Sequence, residues 1–459
     1  MEFITTLLAF LNLYILFKQV FPSIWRNISL VVLFCLMSLY FVSIPLFLDS
    51  IALLLGYEET WNSLITTEGS YSYELESLVL FRVCLFVLAF NILFLLAYSF
   101  FQKIFNRIRT HRDPQLLEES NHPHKITEYV TFFSILAWFG FLLFIFQAGF
   151  SWDMRELDFT SRTSSMPSFI DSLIIIIRNA CFALAGVAVY FAIRYKRYAG
   201  LFLSLFPPIL VSISTSHRPF AIPVLICLFV GMIHQLYSKS PGEYPKDVNL
   251  SQTQKRIFFK YPLKYISKFV LVVFLAFVLA LQFGIIRKGI NSITALDYPY
   301  PISRDSSLNM LYYCFSNHGG YYDFGTEFFA IKRLLITGIL PTSVTGQSEG
   351  PEEYEVTRYL AIKRFAWGAG TLHASIYGWA FTDMKWVGSF FSIFVALIIA
   401  IVSWLGRGSQ LSAVVMFSIT TVFVSVAMRG SVQYAYSNLI YTLVLFFLIK
   451  SFLGQRLRI

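Results

Sequence analysis

Charge is scarce in this sequence. Of its 459 residues only 14% are Asp, Glu, Lys or Arg, whereas a soluble chain carries about a quarter. That shortage excludes a soluble enzyme, a disordered chain and a nucleic-acid-binding domain. There are 5 cysteines, with no CxxC pair and no Cys/His ligand spacing, which speaks against a zinc site and a disulfide framework. The sequence has no Gly-rich nucleotide-cradling loop. It has no DxD-like run to hold a metal with a nucleotide sugar, so neither a metal nor a cofactor is expected. Acids threading the apolar runs, which a proton-driven antiporter needs, are missing, and no internal repeat is visible.

What is present is apolar: hydrophobic residues make up 56% of the chain and aromatics 18%. A helix crosses the ~30 Å hydrocarbon layer with about 20 apolar residues, and about eleven runs qualify. They fall near 3–17, 28–48, 77–101, 128–149, 169–193, 199–214, 219–236, 269–286, 386–405, 411–428 and 435–452. The runs are continuous rather than alternating, which excludes a β-barrel. The first lacks a basic leader and a small-residue cleavage site, so it reads as a retained span.

The net charge of +10 is unevenly placed. Lys103, Arg107, Arg109 and Arg112, then Arg194, Lys196 and Arg197, then Lys255, Arg256, Lys260 and Lys264, then Arg407, Arg456 and Arg458 all fall on one side of an alternating chain. The positive-inside bias makes that side cytoplasmic, with the N-terminus outside. The expected fold is an all-α polytopic integral membrane protein. Residues 1–286 supply the first eight helices. Residues 287–385 form one large outer loop with a re-entrant or interfacial helix near its end, and 386–459 supply the last three helices. A loop of that length usually carries function.

Charges near a bilayer are costly, about 2.5–3.5 kcal/mol on insertion scales, and so mark candidate sites. The run 212–219, Ser-Ile-Ser-Thr-Ser-His-Arg-Pro, joins two short spans at the outer face. Its Arg218 offers a bidentate fork for phosphate oxygens; the plainer alternative is a turn whose Arg snorkels to headgroups. Arg287 and Lys288 open the long loop against the usual charge bias and can bind a second phosphate or anchor a span. Arg429 ends a span before the polar start of the last one, with the same two readings. Arg178 lies ~13 Å into its span at 1.5 Å per residue, so it is expected to face the bundle interior and line a cavity, with Asp171 as its candidate partner. Arg82, nearer its span end, is expected to be structural. His373 is the candidate general base, because a neutral imidazole near pH 7 accepts a hydroxyl proton. His318 is the rival base.

Eleven or so spans, a large outer loop in the C-terminal third, the Ser216-His217-Arg218-Pro219 turn, the Arg287-Lys288 pair and the 370–378 stretch Gly-Thr-Leu-His-Ala-Ser-Ile-Tyr-Gly together resemble the O-antigen polymerases (the Wzy family). The wider group includes the O-antigen ligases. The resemblance implies an inverting, GT-C-like helical glycosyltransferase in the bacterial inner membrane, acting at its periplasmic face. It implies undecaprenyl-pyrophosphate-linked oligosaccharides as both substrates, membrane lipids and a chain-length regulator protein as partners, no nucleic acid, and no metal. On that basis Arg218, Arg287 and His373 are expected to be catalytic. Arg218, Arg287, Lys288, Arg429, Arg178, His318 and Tyr377 are expected to contact pyrophosphate or sugar, and Tyr312, Tyr313, Tyr321 and Tyr322 to stack on sugars. Three alternatives stay open: an O-antigen ligase, which differs only in its acceptor; a lipid-linked oligosaccharide flippase or other transporter; and a membrane receptor or scaffold, which would not need Arg at three separate outer helix ends.

Overall fold

The computed structural model describes residues 1–23, 29–56, 76–108, 123–148, 168–215, 220–237, 306–316, 375–408, 410–429 and 432–457. Among the described residues the regular structure is helical and there is no strand. Water is absent from a hydrocarbon layer, so each apolar run must satisfy its own backbone polar groups, and a helix does this within one segment. The helices are α1 (Glu2–Ser23), α2 (Leu30–Ser38), a π-turn (Leu39–Ser43), α3 (Ile44–Leu54), α4 (Ser77–Ile108), α5 (Pro123–Ala148), α6 (Ser168–Arg194), α7 (Tyr198–Thr215) and α8 (Ile222–Tyr237). After these come α9 (Ser306–Phe315), α10 (Ser375–Met384), a 3₁₀ segment (Lys385–Phe390), α11 (Phe391–Leu405), α12 (Gln410–Arg429) and α13 (Val432–Leu457).

Among the described residues 7 stretches are long and apolar enough to cross a membrane, and three shorter apolar helices accompany them. The expected run at 269–286 lies outside the described residues. This is an all-α, multi-pass membrane protein. In the core of α12 89% of the residues are buried, against 28% in α1, so α12 is central and α1 is the lipid-facing edge. α6 is the hub, packing against α5, α7, α8, α12 and α13. Two glycines let neighbours approach it closely. A Cβ at Gly140 of α5 would stand 2.8 Å from Cys181 Cβ, and one at Gly186 of α6 would stand 2.9 Å from Cys227 Sγ and 3.0 Å from the Pro223 carbonyl. At the first two of these distances something must shift.

Two helices from the expected outer loop pack into the bundle. Tyr312, Tyr313, Cys314 and Phe315 of α9 are buried, as is every residue of α10. The stretch 375–405 is apolar on average but is not one rod. Lys385 takes a positive φ of 53°, and Gly388 lies against the Ala380 backbone carbonyl. Eight residues of continuous helix would separate these two by about 12 Å, so the chain turns back between α10 and α11.

Candidate functional site

The first polar cluster surrounds Arg178, which is only 4% exposed. It sits ten residues into α6, and its guanidinium points at neighbouring helices. Nη1 donates to Gln147 Oε1 at 2.6 Å, and both Nε and Nη2 lie 3.4 Å from Asn179 Oδ1. Asn179 in turn donates from Nδ2 to Asn438 Oδ1 of α13 at 3.1 Å. The guanidinium carbon stands 5.9 Å from the centre of the Phe144 ring and 5.4 Å from that of Phe220. Arg is suited to such a place: its planar cation stacks on rings and takes amide oxygens in its own plane. The contributing residues lie at one end of the bundle. Gln147 is at the C-terminus of α5, Phe220 precedes α8 and Asn438 is in the second turn of α13.

The second cluster is deeper. Asn91 of α4 lies about 21 Å along its helix from Ser77 at 1.5 Å per residue. Its Nδ2 donates to Asn12 Oδ1 at 2.8 Å, and Asn12 Nδ2 donates to Ser43 Oγ at 2.9 Å. Tyr377 of α10 donates its hydroxyl to Asn91 Oδ1 at 2.9 Å and lies 2.6 Å from Ser38 Oγ. Ser38 and Ser43 can both face this cluster because of the π-turn. Residues five apart in an α-helix are rotated by about 140°, whereas the i→i+5 turn stacks them. The turn's signature bond is present, from Ile44 N–H to the Leu39 carbonyl, and Ser38 and Ser43 Oγ are 3.4 Å apart.

A third polar contact pins α9. Tyr312 donates its hydroxyl to Asp49 Oδ2 at 2.5 Å, and both residues are buried. Around it Phe315 stacks on Phe381 with ring centroids 3.7 Å apart, and Phe86 and Trp386 meet that pair edge-on or tilted. This packing changes the expected role of the loop tyrosines. Tyr312 and Tyr313 are held inside the bundle rather than presented to a sugar, because α9 buries its side chains against α4 and α10.

The residues singled out from the sequence divide accordingly. Arg178 and Tyr377 are both buried and belong to different clusters. Arg429 closes α12, with its side chain outside the described set. Arg218, Arg287, Lys288, His318 and His373 lie outside the described residues, as does the side chain of Asp171. Arg82 is half-buried. Sequence reasoning placed Asn438 in the polar start of the last span but not beside Arg178, and it missed Gln147 and Asn179 there, and Asn12, Ser38 and Asn91 around Tyr377. Their signal was available: each is an amide or hydroxyl inside an apolar run, where an unpaired polar group is costly. No family model matches the chain, nor does any curated protein or solved structure. The fold and the buried polar clusters define its class, a multi-pass helical membrane protein with charge sequestered in the bundle.

Proposed function

We propose that this chain is a glycosyltransferase that polymerises undecaprenyl-pyrophosphate-linked repeat units of O-antigen or a similar surface polysaccharide at the periplasmic face of the bacterial inner membrane. The observation that carries the reading is the buried Arg178 guanidinium, held where α5, α6, α13 and Phe220, just ahead of α8, meet. A cation in a partly dehydrated pocket stabilises the charge that builds on a departing pyrophosphate.

The chain brings two further expected cations close in sequence to this pocket. Arg218 stands two residues before Phe220, whose ring faces Arg178. Arg429 stands three residues before Val432, the start of the helix that supplies Asn438. In the proposal Arg218, Arg287, Lys288 and Arg429 join Arg178 on the two pyrophosphates. His373 takes the proton of the acceptor hydroxyl, and the bond from the anomeric carbon to the pyrophosphate oxygen breaks as the new glycosidic bond forms.

The test is a chromosomal series in the native host. Arg218→Ala and Arg287→Ala are each expected to abolish long polymer while lipopolysaccharide capped by a single unit persists. Normal chain length in both variants rejects the reading. Accumulation of free lipid-linked polymer would instead indicate the ligase.

A further inference from the structure

The opposite end of α6 carries a cationic collar of a different kind. Helix α6 closes with paired backbone bonds, from Arg197 N–H to the Ala192 carbonyl at 2.7 Å and from Lys196 N–H to the Ile193 carbonyl at 3.3 Å. This is a Schellman closure, whose left-handed position normally holds glycine. Here it holds Lys196, with φ 58°. A lysine kept where glycine is favoured points to a use for its side chain.

The closure packs three cations into four residues. Lys196 and Arg197 are exposed and Arg194 is half-buried. Arg194 is held in place: its Nη1 donates to the Tyr190 hydroxyl at 2.7 Å, and its guanidinium carbon lies 5.9 and 5.7 Å from the ring centres of Tyr190 and Tyr195. The Tyr190 hydroxyl is fixed in turn by His234 Nδ1 at 2.9 Å. On the adjoining helix α5, Tyr129 packs against Phe191 and brings the exposed Glu128 to this end of α6. Among the described residues, three cations stand at this end against that one acid.

Directly after the collar, α7 begins at Tyr198 and exposes Tyr198, Phe202 and Phe206 at 55%, 72% and 52%. Residues four apart lie along one helix face, so the three form an apolar stripe running away from the cations. A charged head above an apolar stripe is the shape of a phospholipid.

We infer that the α6–α7 turn is a binding site for an anionic phospholipid, with its phosphate on Arg194, Lys196 and Arg197 and its acyl chain along the Tyr198–Phe202–Phe206 stripe. A zwitterionic choline head would press its own cation against Lys196 and Arg197, so the site selects a headgroup of net negative charge.

The test uses the full chain in nanodiscs of phosphatidylglycerol or phosphatidylcholine, with retained lipid counted by native mass spectrometry and thermal unfolding followed in parallel. The wild type is expected to retain phosphatidylglycerol and to unfold at higher temperature in it, with the difference shrinking in high salt. Lys196→Gly with Arg197→Gln is expected to bind phosphatidylglycerol roughly tenfold more weakly or worse. The glycine fits the left-handed position, so Lys196→Gly alone should fold at least as well as the wild type in phosphatidylcholine and still lose part of the preference. Wild-type preference in the double variant overturns the site. An equal shift from inorganic phosphate in phosphatidylcholine discs would assign the collar to a free anion and overturn the lipid.

Discussion

The hydroxyl of Tyr377 donates to Asn91 Oδ1 at 2.9 Å, across 286 residues of sequence. With Ser38 as its second partner at 2.6 Å, Tyr377 ties the start of α10 to both α2 and α4 inside the bundle. Tyr377→Phe keeps the ring, which meets Phe90 edge-on at 4.9 Å, and removes only the hydroxyl. It leaves Asn91 and Ser38 short of a buried partner, at a cost of about 1–3 kcal/mol. Equilibrium unfolding by steric trapping in bilayers checks this; an unchanged midpoint would show that the hydroxyl contributes nothing.

Arg178 meets Gln147 and Asn179 through a planar cation lying between two phenylalanine rings. Lysine keeps the charge but has neither the fork nor the flat face. Under the proposed function, Arg178→Lys should retain a shortened polymer ladder and Arg178→Gln should lose it. Length distributions on silver-stained lipopolysaccharide gels read this directly. Full-length ladders in Arg178→Gln would remove Arg178 from the pyrophosphate site.

Gly140 lets α5 approach α6 beside Arg178: a Cβ there would stand 2.8 Å from Cys181 Cβ and 3.4 Å from the Arg178 carbonyl. Gly140→Ala is expected to destabilise the protein by about 1–3 kcal/mol, as overpacked cores do. Cys181→Gly on the other helix restores the space, so the double variant should recover part of the loss. Strictly additive effects in that cycle would place the strain elsewhere.

The Tyr312–Asp49 bond holds α9 in the bundle, and Cys314, two residues along, is 2% exposed. With Cys35, Cys84, Cys181 and Cys227 replaced, Cys314 should resist a membrane-permeant maleimide in the otherwise native chain. Adding Tyr312→Phe should accelerate its labelling several-fold, because local opening exposes the thiol. Equal rates in the two proteins would mean that aromatic packing alone secures α9.

Particular residues show how far the sequence was legible. The run at 77–101 was clear, but α4 continues to Ile108. At 1.5 Å per residue a 32-residue helix spans about 48 Å, so it outruns the apolar layer and carries Gln102 and Lys103 beyond it. The run at 28–48 was expected to stop before Asp49, yet α3 continues through it to Leu54. The acid is tolerated because Tyr312, 263 residues away, hydrogen-bonds it. The run at 386–405 was read as starting after a separate short helix, and the structure puts the turn at Lys385, between α10 and α11; that α10 is wholly buried was not legible, because apolarity by itself does not say what a helix packs against.

The sequence by itself determined that the chain spans a membrane many times and where most of its helices lie, because the length of an apolar run is measured against the hydrocarbon thickness within a single segment. Only the tertiary structure decided which buried polar groups meet: Asn179 with Asn438 across 259 residues, Tyr377 with Ser38 across 339. The physical reason is that a polar group withdrawn from water needs a partner but does not specify one. The choice among amides, hydroxyls and rings is made by how the helices pack.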